Sequence, residues 1–122
     1  MAEHNLTGNL GEELAADYLK TQGYKIISRN WRFGKNEIDI IAKLGEILVI
    51  AEVKTRTSNF IEDPELSVDR KKQKFLIKAA DAFVVNNNLN VEVRFDIITI
   101  IIFDDVNHQI NHIVDAFYPL VR

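Results

Sequence analysis

The chain has 122 residues, 47% of them apolar and 27% charged, a mixture that suits one folded unit and excludes collagen-like repeats and intrinsic disorder. It contains no Cys, which leaves neither a disulfide framework nor a thiolate metal site, and a cytoplasmic chain is the simplest reading. Net charge is −3, the opposite of the basic excess expected of a dedicated nucleic-acid binder, so any contact with a polyanion has to be local.

The polar start, Met1 to Asn5, lacks the basic and apolar regions of a signal peptide. No membrane partner is expected, because the apolar run Ile97 to Phe103 is broken by Thr99 and too short to cross a bilayer. Thr7 is placed to cap a first helix running to about Gln22, with Gly23 as its left-handed stop. Leu10, Leu14 and Tyr18, flanked by Ala15 and Leu19, give that helix an apolar stripe. Tyr24 to Trp31 reads as a strand, and Phe33-Gly34-Lys35-Asn36 as a turn. Glu37 to Lys43 and Glu46 to Thr55 read as two strands joined at Leu44-Gly45. Ile47 to Ile50 shows no alternation, so the second of these strands should be covered on both faces.

Ser58 to Pro64 reads as a loop. Ser67 or Asp69 can then cap a second helix reaching about Asn86, with Phe75, Leu76, Ala79, Ala80, Phe83 and Val84 at helical spacing. Val91 to Phe103 is a long strand, Asp104 to Asn107 a turn, and Gln109 to Phe117 a last strand. The order α-β-β-β-α-β-β predicts an α/β fold with a mixed sheet between helices.

Glu52 and Lys54 are the informative residues, because a strand beginning Ile47-Leu48-Val49-Ile50-Ala51 has every reason to stay apolar. Alternation puts both on one face. A turn on Leu44-Gly45 sets Asp39 opposite Ile50 and Glu37 opposite Glu52, which makes Asp39 and Glu52 diagonal neighbours about 7 Å apart at the backbone. A loop of odd length would send Asp39 to the other side. Two carboxylates roughly 5 Å apart repel by about 3 kcal/mol at an effective dielectric of about 20. Lys54 offsets part of this, and a divalent cation held by oxygen ligands, Mg2+ or Mn2+, would offset more. Glu12 lies at the border of the apolar stripe and can face the sheet, whereas Glu13 points to solvent. Gly8 and Gly11 beside it leave room for close approach.

The segments Gly8-x-x-Gly11-Glu12-x-x-Ala15, Arg29-Asn30-Trp31-Arg32, Glu37-Ile38-Asp39-Ile40-Ile41-Ala42 and Glu52-Val53-Lys54-Thr55-Arg56 resemble the YraN-like bacterial family. Later matches at Ser67-Val68 through Lys72-Gln73, Arg94-Phe95-Asp96 and Asp115-Ala116-Phe117 extend the resemblance over nearly the whole chain. That family is grouped with Holliday-junction resolvases in the PD-(D/E)XK nuclease superfamily. The resemblance implies a single restriction-endonuclease-like domain over residues 1–122 that cleaves phosphodiester bonds in structured or branched DNA. Asp39 and Glu52 would hold the cation with the Val53 carbonyl, Lys54 would orient or help deprotonate the attacking water, and Glu12 would complete the site. Ile38 stands where the superfamily's name has Pro, and Asn36 where the family usually has Gly; Asn tolerates the left-handed conformation such a turn needs.

Simpler roles are set beside these. Asp39, Glu52 and Lys54 could be a cross-strand ion pair, and Glu12 a solvated acid favoured by the helix dipole. Arg29, Arg32 and Arg56 could steer phosphate or simply face water. Arg70, Lys71, Lys72, Lys74 and Lys78 would ordinarily be a solvated helix face. Lys72 is favoured for a DNA-backbone contact, with Gln73 beside it, because bases at a helix start oppose the dipole. Arg94 and Asp96 should pair, His108 and His112 should lie at the surface, and Trp31 should anchor the core. The runner-up to a nuclease is a nucleic-acid-binding module with this fold and little turnover; a third reading is a scaffold for a protein partner. Resolvases work as symmetric pairs on four-way junctions, so a homodimer is the assembly implied, although no dimer surface can be read from the sequence.

Overall fold

A computed structural model describes residues 2–57 and 68–119, with side chains from residue 8 onward. The elements are α1 (Ala2–Thr21), β1 (Lys25–Phe33), β2 (Asn36–Leu44), β3 (Ile47–Thr57), α2 (Arg70–Asn86), β4 (Glu92–Ile102) and β5 (His108–Phe117). The five strands form one sheet in the order β1-β2-β3-β4-β5. Only β3 and β4 pair in parallel; the other neighbours are antiparallel. This is the mixed-sheet α/β architecture that the element order implies, consistent with a restriction-endonuclease-like core. The predicted loop Ser58 to Pro64 and the alternative cap Ser67 lie outside the described residues.

Both helices end by the same device. Gly23, at φ +93°, lets its N–H reach the Lys20 carbonyl while Tyr24 N–H reaches Leu19 O at 2.9 Å. Asn88, at φ +53°, does the same for α2, with Leu89 N–H on Val84 O at 3.0 Å. At the other end of α2, Asp69 is the cap and accepts from the Lys72 N–H at 2.8 Å. Thr7 does not cap α1. The helix runs back to Ala2, so its free N–H groups lie before Thr7, and a Thr in a helix interior carries only a modest propensity cost.

The two helices cover opposite faces. Ala15, Ala16 and Leu19 of α1 pack on Ile40, Ala42, Val49, Ala51, Val53, Ile98 and Ile100. Leu76, Ala79, Ala80 and Phe83 of α2 pack on Ile41, Leu48, Ile50, Phe95 and Ile97, and Trp31 sets its ring edge-on to Phe83 at 5.2 Å. Strand β3 therefore alternates between two cores, which is why its sequence shows no polar face. Leu10 is 44% exposed and lies outside the stripe that buries α1, which centres on Gly11, Ala15 and Leu19. Small residues there let the helix axis approach β3 closely. A Cβ at Gly11 would run into the Thr55 hydroxyl, whereas Gly8 meets nothing.

Gly11→Ala should therefore destabilise the protein by about 1–3 kcal/mol, despite the better helix propensity of Ala. Thr55→Ala in the same chain should recover part of that loss. The urea midpoints of the two single variants and the double variant measure the coupling.

Candidate functional site

The turn between β2 and β3 sets the site. It falls on Gly45-Glu46 rather than Leu44-Gly45: Leu44 pairs with Ile47, and Gly45 takes φ +60° as the first central residue of a two-residue hairpin turn. Each β2 residue thus opposes a β3 residue two positions later than the sequence spacing suggests. Ile41, not Asp39, opposes Ile50, and a slip of two keeps Ile40, Ile41 and Ala42 on the faces that alternation gives them. Ile38, beyond the ladder, packs in the core under α2 rather than with Ile40. Glu37 is not opposite Glu52; it pairs across β1 with Arg32, whose Nη2 lies 3.6 Å from its Oε2.

The ladder between β2 and β3 runs as far as Ile40 and Ala51. Beyond it, Asp39 accepts the Val53 N–H on Oδ2 at 2.9 Å, so a carboxylate replaces the next backbone acceptor. Asp39 is then pressed against Glu52. Burial first, and the neighbouring Glu52 charge second, push the Asp39 carboxyl up to about 7, although the Val53 N–H and Lys72 oppose this.

Glu52 is almost fully buried. Lys54, two residues on and on the same face, places Nζ 3.8 Å from Glu52 Oε2. Lys72 reaches the same oxygen from α2 at 3.5 Å and lies over the Phe75 ring at 5.7 Å. The other carboxylate oxygen, Oε1, is buried without a hydrogen-bond donor. A protonated Asp39 could donate to Glu52 besides the two ammonium groups on Oε2, so the acid pair either shares a proton or calls for another cation.

Glu12 approaches from α1. It accepts from Asn30 Nδ2 at 3.2 Å, and Asn30 is held at φ +53°. Burial raises the Glu12 carboxyl above the usual range; Asn30 and Arg29 oppose this, while the charges of Asp39 and Glu37 add to it. Glu12 therefore feels Asp39 through space but joins no metal-binding group with it: among the described residues, no three His, Asp or Glu side chains gather around one point. Glu13 is exposed, as expected, and pairs with Arg29 at 2.9 Å.

The structure thus brings together Asp39, Glu52, Lys54 and Lys72, with Glu12 at the margin. Val53 contributes its N–H to Asp39 and its side chain to the core under α1. Arg56 Nη1 donates to the Thr55 carbonyl at 3.0 Å, and Gln73 Nε2 donates to the Val68 carbonyl at 3.1 Å. The ammonium of Lys72 on Glu52 was not legible in the sequence, since nothing there fixes how α2 rotates over the sheet. The donor set fits a hard divalent ion: two crowded carboxylates, one unsatisfied oxygen and no sulfur.

A second polar cluster lies on the face covered by α1. Arg94 grips Asp96 with two nitrogens, Nε to Oδ1 at 2.9 Å and Nη2 to Oδ2 at 2.8 Å. His112 Nε2 lies 2.7 Å from Asp96 Oδ2, the Asp115 N–H donates to Oδ1 at 3.0 Å, and Arg94 also donates to the Tyr24 hydroxyl at 2.6 Å. Tyr18 of α1 completes the chain at His112 Nδ1, 2.9 Å away. Burial alone would push Asp96 up, but the hydrogen bonds from His112, Arg94 and Asp115 hold its carboxyl below the usual range. Arg94 and Asp96 pair as expected. His112 does not lie at the surface: its side chain is 8% exposed, because β5 turns it toward Asp96 rather than outward. His108, at the start of β5, is exposed.

Comparison with known proteins agrees with the motifs. Residues 11–100 match the model of the uncharacterised protein family UPF0102. A UPF0102 protein of Bacteroides thetaiotaomicron is 49% identical over 119 residues, covering 98% of both chains. The UPF0102 protein FP2501 of Flavobacterium psychrophilum is 46% identical over 118 residues, covering 97% of this chain and 98% of its own. A UPF0102 protein of Christiangramia forsetii is 48% identical, again over 118 residues, with the same coverage. The chain therefore belongs to the uncharacterised protein family UPF0102, the YraN family.

Proposed function

We propose that the chain is a Mg2+- or Mn2+-dependent endonuclease acting on phosphodiester bonds in structured or branched DNA. The observation that carries this reading is the buried, donorless Oε1 of Glu52 beside an Asp39 carboxyl pushed up to about 7. Such crowding of acids costs stability and is useful only if a cation is to be held there. Asp39, Glu52 and the Val53 carbonyl would hold it. When bound, the ion would supply a hydroxide-like nucleophile at neutral pH and neutralise charge on the phosphoryl oxygens.

The chain's own residues do the rest. Asp39, whose raised pKa holds its proton up to about neutral pH, would have to release that proton for a cation to be held, so loading should strengthen as the pH rises through 7. Lys54 keeps its ammonium beside Glu52 and points the attacking water at phosphorus. Glu12, with its raised pKa, takes or holds a proton at the margin of the site. Arg32, Arg56 and Gln73 would contact the DNA backbone, and Lys72 would turn to phosphate once its place on Glu52 is taken.

A second reading, nucleic-acid binding with little turnover, is favoured by the two ammonium groups already resting on Glu52 Oε2. Incubating labelled linear, flapped and four-way DNA with and without Mn2+ separates the two. Under the first reading, cleavage requires Mn2+, prefers the branched forms and falls by on the order of 10²-fold or more in Lys54→Ala. Equal cleavage by wild type and Lys54→Ala would mean a contaminating nuclease and would sink the proposal. Retained DNA binding without any cut would select the second reading.

A further inference from the structure

The flank of α2 that faces β5 carries a groove apart from the acid pair, sharing with the proposed DNA contacts only Gln73. Its volume is about 890 Å3; Arg70, Lys74 and Lys78 form one rim, Phe117 and Tyr118 the other, and Ile77 contributes to the floor. The three cations recur every four residues, so they form a row about 12 Å long at 1.5 Å rise per residue. None of the three makes an ion pair among the described residues. The first turn of α2 contains no acid, although cations there face the positive end of the helix dipole. Arg70 in that turn therefore works against the helix dipole, and a polyanion bound along the row would relieve it. Asp81, one turn past Lys78, ends it.

Tyr118 is 69% exposed, and with Phe117 and Ile77 it supplies an apolar wall beside the cations. We infer that this groove binds an unpaired nucleic-acid strand, with phosphates along Arg70, Lys74 and Lys78 and a base stacked on Tyr118. A paired base is covered by its neighbours and offers no free face to a tyrosine, whereas an unpaired one does. The inference deepens the nuclease reading by naming the part of the substrate held outside the cleavage site, and it rests on that reading for the identity of the polyanion. Lys72 and the groove lie on different flanks of α2, so the helix start would separate the strand being cut from the strand being held.

The test measures fluorescence anisotropy of the full chain with oligo(dT), oligo(U) and a duplex of equal length, in EDTA so that cleavage plays no part. The single strands should bind about 10-fold or more tighter than the duplex. Lys74→Glu with Lys78→Glu should weaken oligo(dT) binding and lower the slope of log K against log salt by about 1.4, at about 0.7 per phosphate contact. Tyr118→Ala should weaken it by about 10-fold with little change in that slope. Lys20→Glu, a reversal on the exposed side of α1, controls for net charge and should change affinity far less. Circular dichroism melts show that each variant is folded.

Equal binding of duplex and single strand, or a Tyr118→Ala variant indistinguishable from wild type, would overturn the inference. So would polyglutamate competing as well as oligo(U), which would assign the face to a basic-patch contact with acidic protein. The cleavage reading fails on a different result: binding intact in EDTA, and no Mn2+-dependent cut on any substrate.

Discussion

In metal-free buffer at pH 8, Asp39→Asn should be more stable than the wild type by about 2–4 kcal/mol, and its Mn2+-dependent cleavage should be lost. The sign follows from linkage. The carboxyl titrates near its ordinary 3.8 when unfolded and at about 7 when folded, so the folded state holds the proton more tightly. Stability from this group is therefore complete below about pH 4 and is lost as the pH rises through 7; the full interval corresponds to an upper bound of about 4 kcal/mol. Asn carries no charge at any of these values. It can still accept the Val53 N–H, and its amide can donate to the orphaned Glu52 Oε1. Urea midpoints of the two proteins should coincide near pH 4 and separate steadily toward pH 8. Parallel curves across that range would mean that Asp39 is an ordinary surface carboxylate. The acid pair would then carry no argument for a cation.

Asp96→Ala should be the most damaging substitution outside the acid site, costing about 3–5 kcal/mol. It removes at once the acceptor for both Arg94 nitrogens, for His112 and for the Asp115 N–H. The guanidinium, only 16% exposed, is left with the Tyr24 hydroxyl as its one protein hydrogen-bond partner among the described residues. Because the Asp96 carboxyl is held low, its contribution has the opposite sign from that of Asp39: present above the unfolded pKa, and lost as the pH falls through the folded one. Replacing both partners, Arg94→Met with Asp96→Leu, should recover part of the loss, since a buried apolar pair needs no compensation. Chemical denaturation of the three variants at pH 7 checks the ordering. A double variant no better than Asp96→Ala would show that His112 and Asp115 depend on the carboxylate more than Arg94 does.

The elements were legible because local signals agree with the global fold. Gly23 and the Asn86-Asn87-Asn88 run stop helices by conformations that few other residues adopt, and the run Ile47 to Ile50 announces a strand covered twice. The acid pair was legible for a less secure reason. The turn between β2 and β3 sits one residue later than expected, and the partner of Asp39 therefore moved by two. Period-two alternation forgives an even slip and punishes an odd one, so the face was right while the register was not. What the sequence concealed depends on rotation and distance between elements. Lys72 could have faced water anywhere on its helix, and the His112 side chain turned inward through contacts made with β4 and α1. No spacing within β5 reports those contacts. Leu10 misled for the same reason: small residues at 11, 15 and 16, rather than the larger ones, decide how α1 lies on the sheet.

The connectivity of the sheet also orders its assembly in time. Strands β1 to β3 are joined by two-residue turns, so their pairing closes only short loops, whereas β4 reaches β3 across the whole segment carrying α2. Loop-closure entropy rises with contour length, which places the local meander early in folding and the parallel pair late. Asp39 and Glu52 both belong to the meander. They meet with Lys54 of β3 already at hand but before any lysine of α2 can reach them, and the late crossover connection delivers the second countercharge.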